Sequence, residues 1–157
     1  MRRNDREVTD INEIEQILLK CKTCHVAMID EGVAYVVPLS YGYRLTGGNL
    51  LELYFHSALE GRKIRALRRG GAVCFEISYE GEPVHAEKPC NSGYYYASLI
   101  GFGEVVFIEG NDEKHDALSV LVKHQTGIDA VFTSEQTKSV CVFKIVSNDY
   151  TGKKKSI

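Results

Sequence analysis

Within the run Tyr54-Phe55-His56-Ser57-Ala58-Leu59-Glu60-Gly61-Arg62-Lys63-Ile64, an imidazole, a hydroxyl, a glycine and two cations fall at one junction. The apolar start reads as a strand and the basic end opens a helix. Such a junction can hold a phosphate. Ser57 can donate a hydroxyl hydrogen bond, and Gly61 permits close backbone approach. The start of a helix offers free amide hydrogens and the positive end of its dipole. Arg62 can fork onto phosphate oxygens and Lys63 adds a compact charge. The same residues also suit a plain helix with a solvated basic face. His56 and Ser57 are neighbours, so on a strand they point to opposite faces. That opposes a serine–histidine relay, and no glycine-flanked nucleophile elbow surrounds Ser57.

Other motifs are weaker. Cys21-Lys22-Thr23-Cys24-His25 matches a c-type haem attachment pattern,. It straddles an expected helix end and strand start, and no second close Cys or His pair completes a zinc site. Thiols buried or half-buried at a junction are the expectation there, with no metal. Gly101-Phe102-Gly103 lacks the third glycine and following helix of a dinucleotide fingerprint. Gly152-Lys153-Lys154 lacks the remainder of a phosphate-binding loop. In Val36-Val37-Pro38-Leu39-Ser40-Tyr41-Gly42-Tyr43, Pro38 removes an amide hydrogen, which argues against a central ladder. The exposed backbone groups could bond a flat heteroaromatic ring, with Tyr41 or Tyr43 as apolar walls. An edge strand with a proline bulge is the simpler alternative.

These residues need elements to position them. Asp10 followed by Glu13 has capping-box spacing, and Ile11, Ile14, Leu18 and Cys21 recur at helical intervals. A helix is expected over about 11–22. Strands are expected over 25–29, 33–44, 50–56, 72–79, 94–108 and 138–146. A turn at Thr46-Gly47-Gly48-Asn49 should return 50–56 antiparallel to the preceding strand. Helices are expected over 62–69, closed by Gly70-Gly71, and from a cap at Asn111 to about Gln125, with Leu118, Leu121 and Val122 inward. Residues 80–93 read as a loop. Gly101 and Gly103 mark a bulge or a close backbone approach. The spacings are too short for a run of βαβ crossovers, which leaves an antiparallel barrel or sheet decorated by helices.

The chain has 157 residues, 44% hydrophobic and 25% charged, as expected of one globular domain,. Residues 1–150 form that domain and 151–157 a basic tail. A net charge of −2 gives no general attraction for nucleic acid or anionic lipid,. No run approaches the ~18 apolar residues of a membrane span. The charged start Met1–Glu7 lacks an apolar signal core, so a cytoplasmic protein is expected, its five cysteines reduced,.

The order and spacing of several segments resemble the FMN-binding split-barrel family related to pyridoxamine 5′-phosphate oxidase, within it the nitroimidazole-resistance branch. They are Tyr35 to Tyr43, Leu53 to Ala58 with Gly61-Arg62-Lys63-Ile64, Val73-Cys74-Phe75-Glu76, Tyr96 to Gly103, and Glu113-Lys114 before the late helix. The resemblance implies a mainly β fold with flanking helices: a six-stranded antiparallel split β-barrel that dimerises, with FMN at the interface. It implies that Pro38, Leu39, Ser40 and Tyr41 line the flavin ring through backbone groups. His56, Ser57 and Ala58 would sit beside ring and ribityl chain, and Arg62 and Lys63 would take the phosphate. Ser98, Ile100 and Gly101 would approach from the long strand of one or the other subunit. His56 would be the catalytic or substrate-orienting residue. The implied function is a flavin-dependent reductase of a small nitroaromatic or similar electrophile. The alternative is a non-catalytic flavin- or haem-binding module, since relatives also include haem-degrading proteins and deazaflavin-dependent reductases. The parent oxidase usually carries C-terminal tryptophan and arginine–histidine elements; this chain has no tryptophan and ends in a lysine run.

Overall fold

The computed structural model describes residues 3–47 and 49–155. Eight strands and four helices follow one another as β1 (Glu7–Val8), α1 (Ile11–Lys20), β2 (Thr23–Asp30), β3 (Val33–Ser40), β4 (Gly42–Thr46), β5 (Leu50–Ser57), α2 (Arg62–Arg68), β6 (Val73–Val84), β7 (Gly93–Ile108), α3 (Asn111–Thr126), α4 (Ser134–Lys138) and β8 (Cys141–Lys155). Each strand pairing is antiparallel. The sheet runs β3-β2-β6-β7-β8-β5-β4, and β1 pairs with β8.

The two ends of this path, β3 and β4, are separated in sequence by Tyr41 alone. Laid flat, seven strands at ~4.8 Å spacing would put their outer members ~29 Å apart, whereas two residue steps reach at most ~7 Å. The sheet therefore curls until its edges meet at Tyr41. No ladder joins β3 to β4 among the described residues, so the path stays open. Eight strands replace the six expected: the 33–44 run breaks at Tyr41, and β1 adds a short pairing. β3 is an edge strand, which accommodates Pro38 opposite His25 without loss of a central ladder,.

Inside the curl lie Phe55, Phe75, Phe143, Leu51, Leu53, Ile77, Leu99 and Ile145, with Ile14, Ile17 and Leu18 of α1 over them. Phe55 and Phe143 stack with centroids 5.2 Å apart. Outside, α3 covers β4 and β5: Ala117 and Leu118 bury against Tyr54 and Val142. Gly42 is needed here, because a Cβ would lie 2.5 Å from the Leu121 backbone. Gly101 and Gly103 are close approaches, to Phe75 with Tyr150 and to Ile145 with Val146. A register shift opposite Gly103 puts the extra residue on β8.

Several expectations are corrected. Asp10 caps α1 through the Asn12 amide at 2.8 Å, but Glu13 pairs with Lys154 at 2.5 Å and forms no capping box. The cap of α3 is Gly110. Asn111 reaches across to Ser134 and Thr137 and pins α4, an element not expected. β6 runs on to Val84, into the segment read as loop. Lys153, Lys154 and Lys155, read as a tail, are the end of β8 and pair with β7. The expected turn at 46–49 includes Gly48, which lies outside the described residues.

Candidate functional site

The strand rule separates His56 from Ser57. On β5, Leu51, Leu53, Phe55 and Ser57 point inward, while Tyr54 and His56 take the other face. Ser57 is buried, and its hydroxyl makes no hydrogen bond among the described residues; His56 and Ala58 are exposed. Gly61 follows at φ 139°, ψ 171°, a conformation that glycine adopts freely, and starts α2 with no side-chain cap,.

Arg62 is fixed from two sides. Its Nε donates to Asp30 Oδ2 at 2.7 Å, and its guanidinium lies 4.2 Å above the Tyr35 ring. Arg69 Nη1 takes the other oxygen of Asp30, also at 2.7 Å. The Arg62 hydrogen bond, with the charges of both arginines, holds the Asp30 carboxyl below its ordinary pKa. Lys63 is half-buried, and burial lowers its pKa against the opposing pull of Cys141. Burial, then the Lys63 charge, lowers the His56 pKa from its usual value. Both effects favour the neutral imidazole.

The other expected residues fall in two places. On β3, Pro38 and Ser40 face out and Leu39 packs on the core. Tyr41 is corrected as a wall of an open site. Its ring is fully buried, its hydroxyl donates to Leu18 O at 2.8 Å and Cys21 O at 3.2 Å, and its carbonyl accepts from Gln125 Nε2 at 2.7 Å. On β7, Ser98 and Ile100 face out and Gly101 faces in. Pairing aligns Pro38, His25, Glu76 and Ile100 in one row across β3, β2, β6 and β7. Three strand spacings, ~14 Å, separate β3 from β7 within the protomer. The outer face around this row is mixed: Val36 and Phe102, each 54% exposed, and Ile100, 46% exposed, flank the His25–Glu76 pair.

The Cys21–His25 motif has no ligand geometry. Burial raises the Cys21 thiol to about 11 and pushes Cys24 up further, while His25 Nδ1 pairs with Glu76 at 2.9 Å. A cleft of about 1020 Å³ between α1, β4 and α3 is lined by Tyr43, the other tyrosine read as a possible ring wall, and by none of the residues expected to bind the flavin. Four of its charged groups are paired, Arg44 with Asp116 at 2.6 Å and Lys123 with Asp129 at 2.8 Å, and Lys22 Nζ donates to the Leu19 and His124 carbonyls. Among the described residues no helix is long and apolar enough to cross a membrane. Asp30 and Tyr35 were not expected as site residues. Asp30 falls between the expected strands 25–29 and 33–44, and nothing local signals that two arginines more than thirty residues later close on it.

The chain is similar over 94% of its length to a candidate 5-nitroimidazole antibiotic resistance protein from Bacteroides thetaiotaomicron, of which it covers 85%, at 33% identity and a TM-score of 0.81. An FAD- and haem-binding protein from Mycobacterium smegmatis shares the fold at 19% identity and a TM-score of 0.79, with 97% of this chain and 74% of that one covered. A flavocytochrome from Azotobacter vinelandii does so at 19% identity and 0.80, with 100% and 72% covered. No curated protein is significantly similar to the chain. The family model for pyridoxamine 5′-phosphate oxidase matches residues 10–154, from the Asp10 cap to the last paired residues of β8, and the chain belongs to that family.

Proposed function

We propose that the protein binds FMN and is a flavin-dependent reductase of small nitroaromatic or similarly electrophilic compounds, acting as a homodimer with the flavin at the interface. The observation that carries this reading is the β5–α2 junction in a member of this family. There Ser57, Arg62 and Lys63 offer a hydroxyl, a guanidinium and an ammonium around Gly61. That donor set fits a phosphate ester. From Tyr35, beneath Arg62, to Ser40 is about 17 Å of strand at ~3.3 Å per residue. This span suits an elongated ligand with an anion at one end and a flat ring at the other. β3 is an edge, so backbone groups around Pro38, Leu39 and Ser40 can meet the ring, as can the backbone near Tyr41,. Ser98, Ile100 and Gly101 are too far along the sheet to join the same ring from one protomer. A second copy seated on the exposed Val36, Ile100 and Phe102 would bring its β7 there, and grouped exposed apolar side chains often mark contact surfaces,.

Bound FMN supplies hydride and single-electron transfer chemistry. The chain's own part is to bind the phosphate, present a backbone edge to the ring, and keep water from the reacting face. The shift of His56 toward its neutral form suits it to orient a substrate through an N–H,. A nicotinamide cofactor is the expected electron source.

The test begins with the absorbance of the purified protein after FMN addition. A flavin spectrum and nicotinamide-dependent consumption of a nitroimidazole support the reading. Bound flavin that no nicotinamide donor reduces points to a non-catalytic binding module, and haem absorbance in place of flavin replaces the cofactor. His56→Ala should keep FMN and lower turnover about 100-fold, the lower range for a positioned acid–base group. Full turnover in that variant removes His56 from the chemistry.

A further inference from the structure

Asp30 is a carboxylate only 9% exposed, at the end of β2, and both its oxygens are taken by arginines from opposite ends of α2. Its bond to Arg62 goes to Nε, the inner nitrogen, while the Tyr35 ring lies under the guanidinium at 4.2 Å. Together these contacts fix the plane of the guanidinium and one of its edges. The terminal nitrogens make no hydrogen bond among the described residues, and they form the edge that grips an oxyanion in two-point fashion. A free arginine must lose rotamer freedom to bind; one held in this way has lost much of it already.

We propose that Asp30 and Tyr35 are positioning residues that preset Arg62 for the phosphate of the flavin, so that the protein discriminates FMN from unphosphorylated riboflavin. This rests on the flavin reading above. The opposing effect is electrostatic, because a carboxylate behind the arginine offsets part of its charge. The proposal holds that orientation outweighs that offset.

Dissociation constants for FMN and riboflavin, from flavin fluorescence with the full chain, give the test. The unsubstituted protein should prefer FMN. Asp30→Asn should reduce that preference about tenfold, the scale on which outer-layer partners act on first-layer ligands in metal sites. Riboflavin affinity should stay within about twofold, because the missing contact serves only the phosphate. Tyr35→Leu should act in the same direction and Tyr35→Phe should restore the preference. That pair supplies the test if Asp30→Asn does not fold. Arg65→Ala, an exposed α2 arginine outside the Asp30 cluster, should leave the ratio unchanged. Equal or greater FMN preference in Asp30→Asn and in Tyr35→Leu overturns the proposal. So does an Arg65→Ala loss as large as that of Asp30→Asn, which would make the effect one of helix charge and not of Arg62 orientation. If the unsubstituted protein binds FMN no better than riboflavin, the phosphate reading itself fails, and this inference with it.

Discussion

Two polar clusters flank the strands of this protein, and they are built from similar residues. One is the corner at Tyr41, where β3 passes into β4. The other is the junction at Ser57 to Lys63, where β5 passes into α2. At the corner, groups are answered from within the chain. The Tyr41 hydroxyl meets two carbonyls, the Tyr41 carbonyl meets Gln125, His124 Nε2 meets Cys21 O at 2.9 Å, and Lys22 Nζ meets His124 O at 2.5 Å. At the junction the Ser57 hydroxyl, the Lys63 ammonium and the outer nitrogens of Arg62 have no such answer among the described residues. Polar groups paired within the chain act as a strut, whereas the unpaired donors at the junction reach solvent and stay available to a ligand. Residue type alone does not separate the two; hydrogen-bond saturation does.

The largest way to break this comparison is at the corner. Gly42→Ala sets a Cβ 2.5 Å from the Leu121 backbone, which has no flexible side chain to give way. The expected cost is about 3 kcal/mol, at the upper end for overpacking. For a chain of this size that lowers the melting temperature by roughly 6–12 °C. A thermal melt checks it, and an unchanged midpoint would mean that α3 is free to slide off β4. The junction should respond in the opposite sense. Lys63→Met keeps the aliphatic stem and removes a charge that burial disfavours. Its melting temperature should stay within about 2 °C, while FMN affinity falls about tenfold, the weight of one charge-assisted hydrogen bond. Riboflavin titration is the control. A large melting shift with no change in FMN affinity would make Lys63 a strut as well, and the contrast would collapse.

Much of the fold was legible because periodicity reports burial directly. The α2 helix before Gly70-Gly71, the returning β4–β5 hairpin and the long β7 all follow from spacing. The break at Tyr41 was not legible. Val33 to Arg44 is continuous in strand character, and the break is set by α1 and α3, which meet the Tyr41 ring from elements far apart in sequence. The same limit explains the site. Arg62 and Lys63 stand out locally as cations beside a glycine. Asp30 and Tyr35 do not, because their role exists only after β2, β3 and α2 have packed. Asn111 and Glu13 show the converse: each had a local capping role to play, and tertiary partners claimed the side chain first,.

The smallest expected effect sharpens the comparison through pH. His124 is held between the rings of Tyr41 and Tyr43, at 4.8 and 5.2 Å. Burial lowers its pKa, the Lys22 charge lowers it further, and the Cys21 carbonyl offsets part of this. In the unfolded chain a histidine titrates near ~6.5. Between that value and the lower folded one, the unfolded state binds the extra proton, so stability rises with pH through this window. The stabilisation is complete above the unfolded pKa and is lost as pH falls. His56 is shifted in the same direction and adds its own share. Urea midpoints measured from pH 7.5 down to 5 should therefore fall, and His124→Gln and His56→Gln should each flatten the fall. The two shares differ in what ligand does to them. A phosphate bound beside Lys63 favours a protonated His56 and shrinks its share, whereas His124 lies among residues that the proposed flavin site does not use. Added FMN should thus leave the His124-dependent slope in place and reduce the His56-dependent one. Equal reduction of both would show that the corner and the junction are one coupled site and not two.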